Sequence, residues 1–364
     1  MRQPVLSIHR VSESGEVSLV AANLPIYSLQ WVRSMSTCGT FNVTLDCAMP
    51  IPWPGRYLVT ASGMREVGVL EKVDASESGS ATSPVLIGRF AESMWARYQL
   101  GPGGESARGA NWRQAVTTAA LAWHMDDVPG IVAGEGTEAA TGSSYALSGD
   151  SGDSAMDLIY SSATANGAYP LLSYDRDSDP DHLTLSIVEG LDRTRAQSER
   201  PIAVFSVGLG SASEVSYSGD YSVACSEVVA HAERDADGSA ASVTRTVAVP
   251  DFDAATQWKA RAYEDVSSLV GQDVTPTNDL VDRAGLLRAY DHMPDLVIDA
   301  ESAEAGYGER WDLGDLCEVE MASLGLVARE RVESVTITVE PSGVTVVPTF
   351  GTKQISRTTR AVRR

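Results

Sequence analysis

The sequence has few cysteines and few lysines, and it lacks long apolar runs. Its four cysteines form no C-x-x-C pair, and none lies at metal-ligand spacing from a histidine: Cys38, Cys47, Cys225 and Cys317. We therefore expect reduced, buried thiols and no zinc site. Apolar residues come in short groups, whereas a membrane-spanning helix needs about 20 in succession. The N-terminal segment also lacks the basic end and apolar core of a signal peptide. We expect a protein made in the cytoplasm, without membrane insertion.

Positive charge is scarce as well. The 28 lysines and arginines face 49 aspartates and glutamates, which gives a net charge of −21. Such a surface repels phosphates, so general binding to nucleic acids or anionic membranes is excluded. Residues 353–364 are the exception, because they contain basic residues and no acid: Lys353, Arg357, Arg360, Arg363 and Arg364. Two interpretations stay open for this basic tail: a solvated, disordered terminus, or an arm that docks on an acidic neighbouring protein, including another copy of this chain.

The order of segments predicts an α+β chain that is mainly β. Residues 1–92 are rich in β-branched and aromatic residues between turn signals, as in a small barrel or sandwich. Residues 93–200 mix two predicted helices, one of them beginning near Ser154, with a hairpin. Residues 201–352 return to strands around a predicted helical interval at 255–292, and they end in a hairpin turn at Pro341-Ser342-Gly343.

Gly149-Asp150-Ser151-Gly152 resembles the nucleophile segment of trypsin-like proteases, and His124 lies upstream. A serine protease needs a histidine and an aspartate that converge on the serine, and an oxyanion hole. Here the histidine lies in a helical segment close upstream. Ser154 and Asp157 instead have the spacing of a helix capping box. We interpret the segment as a surface loop that leads into a helix.

The other candidate sites are weak. The alternating aspartates of the segment YDRDSDPDH lack the glycine and glutamate of a calcium-binding EF-hand loop. Glu66 with Glu71, or Asp312 with Asp315, could be paired carboxylates of a glycosidase, but such pairs arise by chance in an acidic chain. GLGSAS at 208–213 has no lysine for a phosphate loop. We therefore predict no catalytic residue, no metal site and no cofactor.

Several segments together resemble the ReqiPepy-type tail protein family of siphoviruses, which are long-tailed bacteriophages. Near the N-terminus, Trp31-Val32-Arg33 precedes a G-x-F-x-V-x-L segment, and REVGVLEKVDA and LIGRFAESMWARY follow. Farther on, WDLGDLCEVE and a terminal PTFG match the family in the same order. In the middle, IVEGLDRTRAQ matches a G-x-D-R-T-x-x-Q motif, at Gly190, Asp192, Arg193, Thr194 and Gln197.

This resemblance implies a non-enzymatic virion protein at the tail tip. It implies two tail-tube-like β-barrel hub domains, residues 1–92 and 201–352, with an α+β insertion at 93–200, and a homotrimeric ring around the channel through which DNA leaves. The implied partners are the distal tail and tail tube proteins, the tape measure protein, and the tip or receptor-binding proteins. DNA would pass without specific binding, and the acidic charge would face either the lumen or the exterior.

Two alternatives to the structural hub remain. A tail-associated cell-wall hydrolase would need an added catalytic domain, for which 364 residues leave little room. A carbohydrate-binding receptor module would present exposed aromatic residues on a flat face. Seven tryptophans permit such a face, although Trp31, Trp95 and Trp112 lie at core-like positions.

Overall fold

The computed structural model describes residues 4–75, 77–78, 81–126, 128–138, 145–236, 239–250, 252–270, 275–303 and 306–350. Contacts between Cα atoms divide the chain into a large unit, Met1–Ser216 with Ile298–Gly351, and a small unit that includes Tyr217–Val297.

Strands dominate the described chain. The N-terminal strands are β1 (Leu6–Val11), β2 (Val17–Leu24), β3 (Ile26–Ser34), β4 (Thr40–Leu45), β5 (Tyr57–Ala61), β6 (Val67–Asp74), β7 (Glu77–Ser78), β8 (Ala81–Thr82) and β9 (Val85–Phe90). The central strands are β10 (Glu105–Gly109), β11 (Gly130–Ala133), β12 (Tyr145–Gly149), β13 (Ala168–Ser173), β14 (His182–Glu189), β15 (Val204–Ser206) and β16 (Glu214–Asp220). The remaining strands are β17 (Glu227–Ala236), β18 (Ser239–Ala248), β19 (Arg261–Asp265), β20 (Asp295–Ala303), β21 (Leu316–Met321), β22 (Leu326–Glu340) and β23 (Gly343–Phe350).

The helices are α1 (Trp112–Ala122), α2 (Ala155–Ala165), α3 (Ser267–Val270) and α4 (Asn278–Ala289). Short 3-10 helices lie at Ala91–Arg97, Tyr290–His292 and Ala322–Leu324. Among the described helices, none combines the length and the apolar content that a membrane span requires.

One antiparallel sheet organises the large unit, in the order β20-β23-β22-β3-β4-β9-β6-β5-β1-β2. It therefore joins N-terminal strands to C-terminal strands through the pairing of β3 with β22. Its core follows from alternation along the strands, since Trp31 of β3 packs against Phe41 and Phe90 at ring-centroid distances of 5.6 and 4.7 Å. The mainly β prediction is confirmed, whereas the division into two closed barrels stays a prediction.

A helical layer within the large unit packs beside β13 and β14. Ala115, Ala119, Ile159 and Leu172 belong to one buried apolar cluster there. Small alanine side chains at helical spacing allow close approach of α1 to its neighbours. The predicted helix near Ser154 is confirmed, because the Ser154 hydroxyl accepts a hydrogen bond from the Asp157 amide, 3.4 Å away.

The small unit has a three-stranded sheet, in the order β18-β17-β19. Helix α4 packs on one face of it, over Ala230 and Ala232 of β17. Within the predicted helical interval 255–292, Arg261–Asp265 is a strand instead. The reason is its alternating pattern and its pairing with β17, where the Arg261 guanidinium donates to Glu227 at 2.7 Å.

The predicted C-terminal hairpin is confirmed. Strands β22 and β23 pair from Val332 with Phe350 to Glu340 with Gly343, so the turn consists of Pro341 and Ser342. The four cysteines are all free thiols, and Cys38, Cys225 and Cys317 are buried. Burial raises the pKa of each of these three thiols above its ordinary value.

Candidate functional site

A buried arginine joins distant parts of the large unit. Arg33 of β3 is only 4% exposed. Its Nε donates to Glu66 Oε1 at 2.5 Å, and its Nη1 donates to the Tyr307 hydroxyl at 2.6 Å and to Asp312 Oδ1 at 2.5 Å. The Tyr169 hydroxyl also accepts from Nη2, at 3.5 Å. We call these five residues the arginine cluster.

Electrostatics hold the arginine cluster in one protonation state. Burial alone would lower the pKa of Arg33, but the Glu66 and Asp312 carboxylates outweigh it and raise that pKa well above its ordinary value. Burial also raises the pKa of the Tyr307 hydroxyl to about 12. A fixed cation and neutral phenols near neutral pH cannot pass protons to a substrate. The hydrogen bonds of the cluster connect distant segments of the chain.

The central family motif and the WDLGDLCEVE motif meet beside the arginine cluster. Asp315 is buried, and its Oδ1 accepts from the Leu191 amide at 2.7 Å. Its Oδ2 accepts from the Asp312 amide at 3.0 Å and from Arg193 Nε at 3.2 Å. Main-chain hydrogen bonds link Leu316 to Leu191 and Arg193 at 2.8 Å each. We call Gly190–Gln197 together with Asp312–Glu318 the motif junction.

Glycines are required where the two segments of the motif junction cross. A Cβ at Gly190 would lie 1.7 Å from the Gly314 carbonyl oxygen, so no other residue fits there. Gly314 itself has a φ of +87°, which disfavours any residue with a Cβ. These contacts explain the glycines of both motifs by main-chain packing.

The remaining motif residues order their own loop. The Thr194 amide donates to Asp192 Oδ1 at 2.8 Å, and this hydrogen bond lowers the pKa of the Asp192 carboxyl. Gln197 Oε1 accepts from the amides of Glu199 and Arg200 at 2.9 and 2.8 Å. Every residue of the motif is thus engaged within the chain, which is typical of a structural motif.

The protease-like segment lies in a turn before α2. Gly152 has a φ of +90° in that turn, and Asp150 donates its amide to Asp153. The His124 imidazole lies 3.1 and 3.2 Å from the carbonyl oxygens of Met125 and Leu121. These contacts support the prediction of a loop that leads into a helix.

The aspartate-rich segment is the tip of the β13–β14 hairpin. Asp175 accepts from the Asp177 amide, and Asp179 accepts from the Asp181 amide and contacts His182 Nδ1 at 2.8 Å. Within the described ranges, no group of three or more histidine, cysteine, aspartate or glutamate side chains is arranged to hold a metal ion. The five basic residues of the tail, Lys353, Arg357, Arg360, Arg363 and Arg364, lie outside the described residues.

Residues 173–352, which contain the whole motif junction, match the family model described as Siphovirus ReqiPepy6 Gp37-like protein. The chain belongs to this family of siphovirus tail proteins. No curated protein matches the sequence.

Solved structures show the same fold. The 43 kDa tail protein of prophage MuSo2 from Shewanella oneidensis is similar, with a TM-score of 0.57 and 12% identity over 96% of this chain and 98% of that one. A tail protein from Neisseria meningitidis MC58 has a TM-score of 0.55 and 12% identity, over 97% of this chain and 98% of its own length. A chain of the Francisella PdpA–VgrG complex has a TM-score of 0.55 and 8% identity, over 96% of this chain but only 53% of its own length. This chain therefore has a fold found in phage tail proteins.

Sequence reasoning missed the role of Glu66 and Asp315, which it took for chance acids, and of Tyr307. One signal was present for Arg33. Leu29, Trp31 and Arg33 alternate along β3 and are all buried. A charged residue on the buried face of a strand must be paired, so its position predicts an acidic partner.

Proposed function

We propose that this tail protein is a hub at the distal tip of the phage tail. In this proposal three copies form a ring, and each copy contributes two barrel domains, from residues 1–92 and 201–352. The ring joins the tail tube, the distal tail ring and the tape measure protein to the tip or receptor-binding proteins. The family and the fold support a structural tail component, and the arginine cluster and motif junction support a role without catalysis.

The observation that carries this proposal is the outer strand of the sheet, β2. It lies at one end of the sheet order of the large unit, and its eight residues contain no charged side chain and no proline. Leu19 and Val20 are exposed on it. Its pairing with β1 is irregular at two points next to Ile8, but neither lysine nor proline protects the strand, and an open edge pairs with other chains. An edge of this kind suits a protein that completes its sheet with a neighbouring subunit.

A closed ring is one of the two assemblies that this kind of interface can form. Head-to-tail contacts between identical chains either close into a ring or extend into a filament. A ring with an acidic wall would repel DNA phosphates, and the net charge of −21 supports that arrangement. We therefore propose that the ring lines the exit channel and that DNA passes without specific binding.

The basic tail is proposed to dock on an acidic surface of a neighbouring subunit, through Lys353, Arg357, Arg360, Arg363 and Arg364. Arginine pairs with carboxylates through two parallel hydrogen bonds, and the rest of the chain is strongly acidic.

Deletion of residues 353–364 is expected to weaken ring assembly at low salt. The effect should shrink as salt rises, because the Debye length falls to about 8 Å at physiological ionic strength. Light scattering of the purified protein over a salt series measures this. A chain of full length with the five basic residues changed to glutamine is the matched control, and it should behave like the deletion. Unchanged assembly of the deletion at low salt would reject the docking role.

The experiment that tests the proposed function is a reconstruction of the distal tail end from intact virions. We expect density for this chain at the distal end and nowhere along the tube. Density repeated along the tube, or virions without this chain, would contradict the proposal.

A further inference from the structure

The small unit has one open sheet face. Helix α4 covers the face that carries Val228, Ala230 and Ala232 of β17. The opposite face carries the alternate residues of all three strands. These are Glu227, Val229, His231 and Glu233 of β17, Ser242, Thr244, Thr246 and Ala248 of β18, and Arg261, Tyr263 and Asp265 of β19. We call this set the open face.

Aromatic rings form the centre of the open face. Tyr263 is 65% exposed, and its ring lies 6.1 Å from the His231 ring at an angle of 26°. Trp258 is 95% exposed and lies three residues before the first residue of β19. The chain is anchored just after it, because the Ala260 carbonyl accepts from the Ser226 amide and hydroxyl at 2.9 and 2.7 Å. The backbone two residues after Trp258 is therefore fixed at the end of the open face where Glu227 and Arg261 lie.

Polar groups surround these rings in fixed positions. The Thr244 hydroxyl lies 2.8 Å from His231 Nδ1, and Arg261 Nε donates to Glu227 Oε1 at 2.7 Å. Asp265 accepts from the Ser267 amide and hydroxyl at 2.9 and 2.6 Å, and this hydrogen bonding lowers the pKa of its carboxyl. Because each group is held by a neighbour, the face is preorganised and a ligand would lose little affinity in ordering it.

This chemistry selects among ligands. Exposed aromatic rings among hydroxyl, carboxylate and guanidinium groups match a sugar ring, which has an apolar face and a rim of hydroxyls. Three carboxylates, Glu227, Glu233 and Asp265, against the one guanidinium of Arg261 disfavour an anionic ligand such as a nucleic acid or an acidic polymer. A large permanent protein interface is more apolar than this face, since Val229 is the only large aliphatic side chain among the residues of the open face.

We propose that the open face, with Trp258, binds a neutral saccharide. Tyr263 and Trp258 stack on sugar rings, and Glu227, Arg261 and Asp265 hydrogen-bond the hydroxyls. This binding role is additional to the hub, and it holds whatever the copy number of the ring. It would give the tail tip a contact with a glycan of the cell surface.

The test measures binding of the full-length protein to a panel of neutral oligosaccharides by calorimetry, with hexamers of glucose, mannose, galactose and N-acetylglucosamine. We expect binding of at least one hexamer, accompanied by a change in tryptophan fluorescence. Tyr263→Ala and Trp258→Ala should each weaken it at least about tenfold. Tyr27→Ala is the matched control, because Tyr27 is also an exposed tyrosine on a strand but belongs to the large unit, and it should leave binding unchanged.

Three results would overturn the proposal: no binding to any hexamer, equal weakening by Tyr27→Ala, or tighter binding of hyaluronate than of every neutral hexamer. Capture of another virion protein that depends on Tyr263, without saccharide binding, would assign the face to a protein interface instead. None of these results changes the expected location of the chain at the tail tip, so the two proposals are tested separately.

Discussion

Glu66→Ala is expected to lower the free energy of unfolding by about 3–5 kcal/mol, because it leaves a buried guanidinium without its main partner. Arg33 and Glu66 are both almost fully buried, and Glu66 Oε2 also accepts from Trp31 Nε1 at 3.3 Å. The variant thus removes an ion pair between two buried side chains and one further hydrogen bond. Urea unfolding followed by tryptophan fluorescence measures the change.

Glu71→Ala is the matched control for this variant. Glu71 lies on β6, a few residues beyond Glu66, and pairs with Arg89 at 2.7 Å, but both side chains are partly exposed. Exposed pairs contribute about 0–1 kcal/mol, so this variant should lose less than about 1 kcal/mol. Equal losses for the two variants would show that the arginine cluster does not hold the large unit together.

Glu92→Gln is expected to stabilise the protein above neutral pH. Glu92 is buried, and its Oε1 accepts from the Leu172 amide at 2.6 Å, while the equally buried Oε2 has no hydrogen-bond partner. Burial raises the pKa of this carboxyl from its ordinary value of 4.5 to about 8. The folded protein therefore retains a proton that the unfolded chain has lost, and stability falls as pH rises from 4.5 to 8.

His9 makes the stability change with pH in the opposite direction, at lower pH. Burial, and to a lesser degree Arg176, lower the pKa of the His9 imidazole from 6.5 to about 4. The unfolded chain binds more protons there, so stability rises with pH between 4 and 6.5. The effect of Glu92 is therefore best isolated between pH 6.5 and 8. There we expect the free energy of unfolding of the wild-type protein to fall by about 1.4 kcal/mol per pH unit.

Urea unfolding at pH 5, 6.5, 8 and 9 measures this dependence. Glu92→Gln keeps an oxygen for the Leu172 amide and cannot ionise, so its stability should be nearly constant from pH 6.5 to 8. Glu71→Gln changes a partly exposed position, so its free energy of unfolding should depend on pH as that of the wild type does. A Glu92→Gln variant with the same slope as the wild type would show that another group binds the proton.

Local features of the fold could be predicted from the sequence. The turn at Pro341 and Ser342 and the helix beginning after Ser154 depend on short-range signals, namely turn residues and a cap, and both are confirmed. Strand β19 was not predicted, because Arg261–Asp265 lies inside a segment of helix-forming composition and pairs in parallel with β17. Parallel pairing leaves no local turn signal.

The contacts of the candidate site could not be predicted in the same way. Arg33 and Asp312 are separated by 279 positions, and no local sequence pattern indicates that β3 pairs with β22. The two motifs of the junction could be identified in order, yet their spacing does not show that Gly190 lies against Gly314. Trp258 was also missed, since most tryptophans lie at core-like positions and only the structure shows that this one is exposed.

The proposed ring of three copies at the tail tip is tested most directly by counting the copies of this chain there. A reconstruction of the distal end without imposed symmetry should show three copies around the channel, with two β domains from each copy in alternating places and strand β2 paired with a neighbouring subunit. One copy or six copies in the ring, or a β2 edge that faces solvent, would contradict the account.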